Sequence, residues 1–189
     1  PKDMPDKLSL AVLDVAGAPA QTAKIVGPGQ TVLIIGGGGK SGLLCLHEAK
    51  KRAGITGKVM ALCRSDGAAE RVRQSGLADV ILRGDAKDSV AVLKLVEEAT
   101  DGALADVTIN CVDIPATEMT SILATKDGGM VYFFSMATSF TAAALGAEGI
   151  GKDVTMLIGN GYTKDHSEIA INTLRENSVL REMFSKLYA

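Results

Sequence analysis

Gly36, Gly37, Gly38, Gly39, Lys40, Ser41 and Gly42 are seven consecutive residues of types suited to holding a phosphate. Adjacent glycines let the backbone approach a ligand with no Cβ in the way and reach positive φ where a turn needs it. The run Thr31–Ile35 before them is apolar, and the residues after them have helical spacing. A helix starting here presents unpaired N–H groups and the positive end of its dipole to an anion. Two registers of a glycine fingerprint fit. Gly37, Gly39 and Gly42 make G-x-G-x-x-G, and Gly36, Gly39 and Gly42 make the looser G-x-x-G-x-x-G. The strand before and the helix after give such a pattern its weight. The Gly-Lys-Ser triplet also resembles a triphosphate-binding loop, but that motif needs a glycine where Ile34 stands. Spacing excludes it. A ligand-free turn is the plain alternative, although closing a turn rarely takes four glycines.

The other chemistry-bearing residues are sparse. Cys45 and His47 suggest a metal pair, yet residues two apart on a helix point about 200° from each other and cannot share an ion. His166 opens the last expected helix, where a polar surface role is the default, with the ligand edge as the alternative. The chain has no C-x-x-C and no nucleophile elbow. Neither a zinc site nor a hydrolase triad is expected, and no catalytic acid or base is assigned.

The elements that must position the glycine loop alternate regularly. Residues 7–25 read as a helix that breaks and restarts near Gly17-Ala18-Pro19, followed by a turn at Gly27-Pro28-Gly29. After strand one at Thr31–Ile35, a helix over 41–52 buries Leu43, Leu46 and Ala49 and ends at Gly54. Strands follow at 58–63, 79–82, 106–112, 129–135 and 154–158. Helices are expected over 65–75, 90–100, 115–124 and 165–188. Strands alternating with helices give an α/β fold with a doubly wound parallel sheet, in three αβα layers, of the Rossmann type.

Bulk properties agree. A chain of 189 residues suffices for one domain with a sizeable core, and 47% hydrophobic with 22% charged residues is ordinary for a globular protein. A net charge of −2 offers no basic field, so neither nucleic acid nor a membrane surface is an expected partner. No apolar stretch reaches the roughly 18 residues of a membrane span. Cys45, Cys63 and Cys111 lie far apart inside expected elements, the pattern of reduced thiols in a cytoplasmic protein. The chain opens on Pro1 and runs from a helix straight into the glycine strand, which reads as a piece of a longer protein.

Ligand contacts in such a sheet come from the carboxyl ends of the strands. That nominates Gly84 and Asp85 after strand three, Cys111, Val112 and Asp113 after strand four, Ser135 and Met136 after strand five, and Gly159 and Asn160 after strand six. The tip of strand two selects the dinucleotide: an acidic side chain suits the ribose 2′-OH of NAD, a basic one the 2′-phosphate of NADP. Arg64 and Ser65 come first past that strand, with Asp66 two positions on. Arg64 suits a bidentate phosphate contact, which favours NADP. The alternative leaves Arg64 solvated or stacked on adenine, with Asp66 capping the next helix.

With these stretches placed, the chain resembles the cofactor domain of the medium-chain dehydrogenase/reductase superfamily. The resemblance runs through Thr31–Leu43, Ser75–Ile81, Asp106–Val112 and Asp127–Val131. Within it, Gly39–Gly42, Tyr132–Phe140 and Gly159–Tyr162 resemble the L-erythro-3,5-diaminohexanoate dehydrogenases of bacterial lysine fermentation. That resemblance implies nicotinamide-dependent oxidative deamination of a small amino-acid-derived substrate, usually with NAD, which pulls against the reading of Arg64. It also implies a β-rich N-terminal catalytic domain, for which nothing here corresponds. A homodimer through an edge strand such as Val154–Ile158 is the association implied. Two other functions compete: a quinone or enoyl reductase of the same superfamily, and a non-catalytic dinucleotide sensor.

Overall fold

The computed structural model describes residues 1–159 and 161–189. Two helices open the chain, α1 (Asp6–Leu13) and α2 (Gly17–Ile25). Pro19 falls in the first turn of α2, where its missing N–H costs no helical hydrogen bond. Strand β1 (Thr31–Ile35) leads through the glycines into α3 (Lys40–Ala53), then β2 (Lys58–Cys63) and α4 (Asp66–Ser75). The order continues β3 (Val80–Arg83), α5 (Ser89–Thr100), β4 (Ala105–Asn110), α6 (Glu118–Leu123) and β5 (Thr125–Phe133). It closes with α7 (Phe140–Ile150), β6 (Val154–Ile158), α8 (His166–Glu176) and α9 (Ser178–Tyr188).

Among the described residues the six strands are all parallel, in the order β3-β2-β1-β4-β5-β6. The chain leaves β1 toward β2 on one side and returns to β4 on the other, so the crevice between β1 and β4 is the switch point where such sheets bind ligands. Alternate side chains sort the layers. Val32, Ile34, Val59, Ala61 and Ile109 face a core closed by α1, α2, α3, α8 and α9. Leu33, Ile35, Met60 and Leu62 face the opposite core with α5, and α7 covers Val131 and Phe133 beside it.

The expected α/β architecture is what folds, with several boundaries moved. The last expected helix is two, because Asn177 breaks at φ −129° and its side chain caps Leu180 N–H at 3.0 Å. Helix α6 starts at Glu118, three residues later than expected, since Ala116 takes φ +65° and holds the preceding segment as a loop. Strand β5 begins four residues early and carries a register shift opposite Ala105 and Val107. Gly129 makes that shift fit: a Cβ there would meet Thr125 Cγ2 at 2.6 Å and Asp106 O at 2.9 Å. Helix α7 was not expected. Its signal is Ser139, whose side chain accepts the Ala142 N–H at 3.2 Å, but Gly146 and Gly149 mask the helical pattern.

Candidate functional site

The glycine loop is a turn wedged between β1, β2 and α3. Gly36 and Gly37 both donate to the Leu62 carbonyl, at 3.0 and 3.2 Å, and Gly39 donates to Gly36 O at 3.0 Å. Gly36 takes φ +82°, a conformation costly for any residue with a Cβ. Gly42 permits the closest approach: a Cβ there would stand 2.2 Å from Gly36 O. Gly39 is the extended N-cap of α3 and provides no side-chain cap. The first helical bond comes from Leu43 to Gly39 at 3.0 Å, so the N–H groups of Lys40, Ser41 and Gly42 precede it. That helix end is left for an anion.

A cavity lies on each side of this loop. The first, about 310 Å³, is lined by Gly36, Gly38, Arg64, Ser65, Arg71 and Val112 among others. The second, about 520 Å³, is lined by Asp14, Lys40, Ser41, Ser135, Met136 and Gly159 among others. Both share Cys111 and Asp113, which follow β4. Two chambers that share a wall at the β1–β4 crevice, on either side of a helix N-terminus, suit a ligand with two bulky ends and an anionic middle. The glycine cradle, which a Cβ would fill, fits a dinucleotide pyrophosphate.

The nominated residues divide accordingly. Gly36, Gly38, Gly39, Arg64, Ser65, Cys111 and Val112 line the first cavity, and Lys40, Ser41, Cys111, Ser135, Met136 and Gly159 the second. Gly37, Gly42, Asp66 and Asp85 line neither. Gly37 and Gly42 act from behind, through close packing. Asp66 pairs with Arg83 at 2.9 Å, and Asp85 accepts from Lys87 N–H at 3.0 Å. Asn160 lies outside the described residues. Sequence reading missed Arg71 and Asp14. Arg71, in the lining of the first cavity, donates from Nε to Gly38 O at 2.8 Å, and Asp14 pairs with Lys40 beside the second. Neither had a local signal: the partners stand 33 and 26 residues away.

The rim of the first cavity is basic. Arg64 is 73% exposed and only loosely held, its Nε 3.5 Å from Asp85. Ser65, not Asp66, caps α4, accepting the Ala68 N–H at 3.2 Å. Cys63 ends β2 with its thiol pKa raised by burial, so no carboxylate occupies the strand tip itself.

The rejected motifs have plain roles. His166 Nδ1 lies 3.0 Å from Thr163 O, its ring packs at 4.6 Å on Tyr162 with the planes tilted by 45°, and it lines neither cavity. His47 sits with Glu48 and Glu176 in a group whose ligand-type atoms fall within 4.8 Å. Lys51 already holds both Glu176 oxygens, at 2.7 and 2.8 Å, and Arg52 holds Glu48 at 3.2 Å. Cations thus neutralise both carboxylates, and the cluster ties α3 to α8. Among the described residues no helix is long and apolar enough to cross a membrane.

No family model matches the chain. It is 54% identical over 188 residues to L-erythro-3,5-diaminohexanoate dehydrogenase of Acetoanaerobium sticklandii, covering 100% of this chain and 55% of that protein. The protein of the same name from Fusobacterium nucleatum is also 54% identical over 188 residues, covering 100% of this chain and 54% of its own length. The chain spans about half the length of the curated relatives it matches. Among solved structures, an alcohol dehydrogenase from Thermotoga maritima matches with TM-score 0.71 and 20% identity, over 95% of this chain and 49% of that one. Benzyl alcohol dehydrogenase from Acinetobacter calcoaceticus matches with TM-score 0.69 and 19% identity, over 99% of this chain and 51% of that one. The chain therefore resembles the L-erythro-3,5-diaminohexanoate dehydrogenases along its whole length, on a fold shared with alcohol dehydrogenases.

Proposed function

We propose that this chain binds a nicotinamide dinucleotide across its two cavities. On this reading it is the cofactor half of a dehydrogenase that oxidatively deaminates L-erythro-3,5-diaminohexanoate to 5-amino-3-oxohexanoate. The observation that carries the reading is the pair of cavities flanking the start of α3 and sharing Cys111 and Asp113 as a common wall. The 54% identity to the two dehydrogenases supplies the substrate.

The bound cofactor supplies the hydride acceptor. The N–H groups at the start of α3 hold the pyrophosphate, with Gly36 and Gly42 keeping the turn close enough to reach it. Arg64, Ser65 and Arg71 surround the adenosine end, and Ser135, Met136 and Gly159 wall the nicotinamide end. In the overall conversion a hydride leaves C3 of the substrate, water adds to the resulting imine, and the 3-amino group departs as ammonium. No acid or base for these steps is assigned to this chain. The opposite wall of the cleft belongs to a further unit, and the working location is the cytoplasm.

Arg64 is the cofactor selector in this reading. Its exposed guanidinium beside a strand tip without a carboxylate favours the 2′-phosphate of NADP, while the nearby Asp85 is the group that would serve NAD. Calorimetric titration should show at least tenfold discrimination between the two dinucleotides, abolished or reversed in Arg64→Asp. Equal affinity of the unmodified chain for both removes Arg64 as selector. Binding of neither at millimolar concentration overturns the cofactor reading itself.

A further inference from the structure

Cys45 and Cys111 are 66 residues apart in sequence, yet their Sγ atoms stand 3.7 Å apart. Cys45 is fully buried in α3, five residues past Lys40 at the helix start. Cys111 is partly exposed and walls both cavities. We propose that this pair is an oxidisable dithiol: a hydroperoxide closes it to a disulfide, and closure weakens dinucleotide binding at the cleft. The affinity part rests on the cofactor reading above; the thiol chemistry does not.

The cavity wall decides which sulfur reacts first. The Cys111 sulfur attacks the peroxide: an S–O bond forms as the O–O bond breaks, and the departing oxygen takes the Cys111 thiol proton and leaves as an alcohol or water. The Cys45 sulfur then attacks the Cys111 sulfur. An S–S bond forms, the S–O bond breaks, and water leaves with the second thiol proton. The sum is two thiols and one hydroperoxide giving one disulfide, one alcohol and one water, with two electrons passing from the sulfurs to the peroxide oxygens. The hydrogen bond with Cys45, together with burial, holds the Cys111 thiol protonated. The thiolate is the attacking form, so the pair reacts slowly and stays reduced at low oxidant.

Closure has mechanical consequences because both ends are fixed. The sulfurs must move from 3.7 Å to about 2 Å apart. Cys111 N–H is bound to Ile35 O at 2.9 Å, and Val112 N–H to Asn110 Oδ1 at 3.2 Å. Val112 also presses on Gly36, where a Cβ would meet its Cγ1 at 2.6 Å. The motion is thus shared between the tip of β4 and α3, whose first turn is the anion site. A displacement of this size exceeds the few tenths of an ångström that separate a good hydrogen bond from a poor one.

The test treats the full chain with hydrogen peroxide, then counts free thiols and measures intact mass. Loss of two thiols, a decrease of two mass units and a Cys45–Cys111 cross-linked peptide are expected, with Cys63 still alkylatable. Dinucleotide affinity should fall at least tenfold and return with dithiothreitol. Cys45→Ser should keep its affinity under the same treatment, and Cys45→Ala is the second variant if the serine destabilises α3. A Cys111 sulfinate without cross-linking overturns the disulfide. A cross-link with unchanged affinity overturns the gating. Absence of dinucleotide binding in the reduced chain, with the cross-link still formed, counts against the cofactor reading and the gating but not the dithiol.

Discussion

Glu48 shows how a single side chain outside the cleft can set the pH behaviour of the fold. Burial alone would raise its pKa, but His47, Lys51 and Arg52 outweigh burial and hold the carboxyl below its ordinary value. A carboxyl depressed in the folded state stabilises above its unfolded pKa, and the stabilisation is lost as pH falls through the folded pKa. Denaturant unfolding of Glu48→Gln should show a deficit of roughly 1–3 kcal/mol near neutrality, because the cations around it no longer face a carboxylate. The deficit should shrink below about pH 4, under the ordinary glutamate value. A pH-independent deficit would mean that packing, not charge, is what the substitution removes. At this scale the sequence was half legible. The glycines carried their own spacing, and Ser65 and Arg64 sat visibly past a strand. The Cys45–Cys111 pairing and the Arg71 contact did not announce themselves, because the partners meet only through the fold, 66 and 33 residues apart.

The elements were read from period and punctuation, and they failed where those signals conflict with local geometry. Helix α7 is rich in alanine but interrupted by two glycines, and the break at Asn177 replaces one expected helix with two. The parallel sheet, by contrast, followed from alternation alone, whereas its order β3-β2-β1-β4-β5-β6 is known only from the fold. Helix α4 ties the two kinds of information together. Ser65 caps it, and its Ala68 packs so closely on the glycine loop that a Cβ at Gly38 would stand 2.4 Å from Ala68 O. Gly38→Val should therefore push α4 off the loop, costing roughly 1–3 kcal/mol by overpacking. Dinucleotide affinity should fall with it, because Ala68 and Arg71 line the first cavity. Ser65→Ala should cost only about 1 kcal/mol, the value of a lost N-cap. Equal losses from both substitutions would show that the cap, not the close packing at Gly38, positions α4.

On the scale of the whole molecule, the sheet has two edges. β3 bounds one with four residues; β6 bounds the other with five, opposite β5. An unpaired edge offers a row of backbone donors and acceptors to another strand. Thr155 is exposed on β6, and the rest of the strand is only partly covered. No charged residue lies within Val154–Ile158 to repel a second copy. Pairing of β6 with its symmetry mate would continue the sheet across a two-fold axis, with each residue contacting its counterpart set. Light scattering of the chain at micromolar concentration should give twice the 19.6 kDa chain mass. Thr155→Lys places like charges near that axis and should return the single-chain mass. Dinucleotide affinity should be unaffected, because the strand meets the second cavity at Gly159, past its far end. A single-chain mass for the unmodified protein would remove β6 as the pairing edge, whatever the cleft binds.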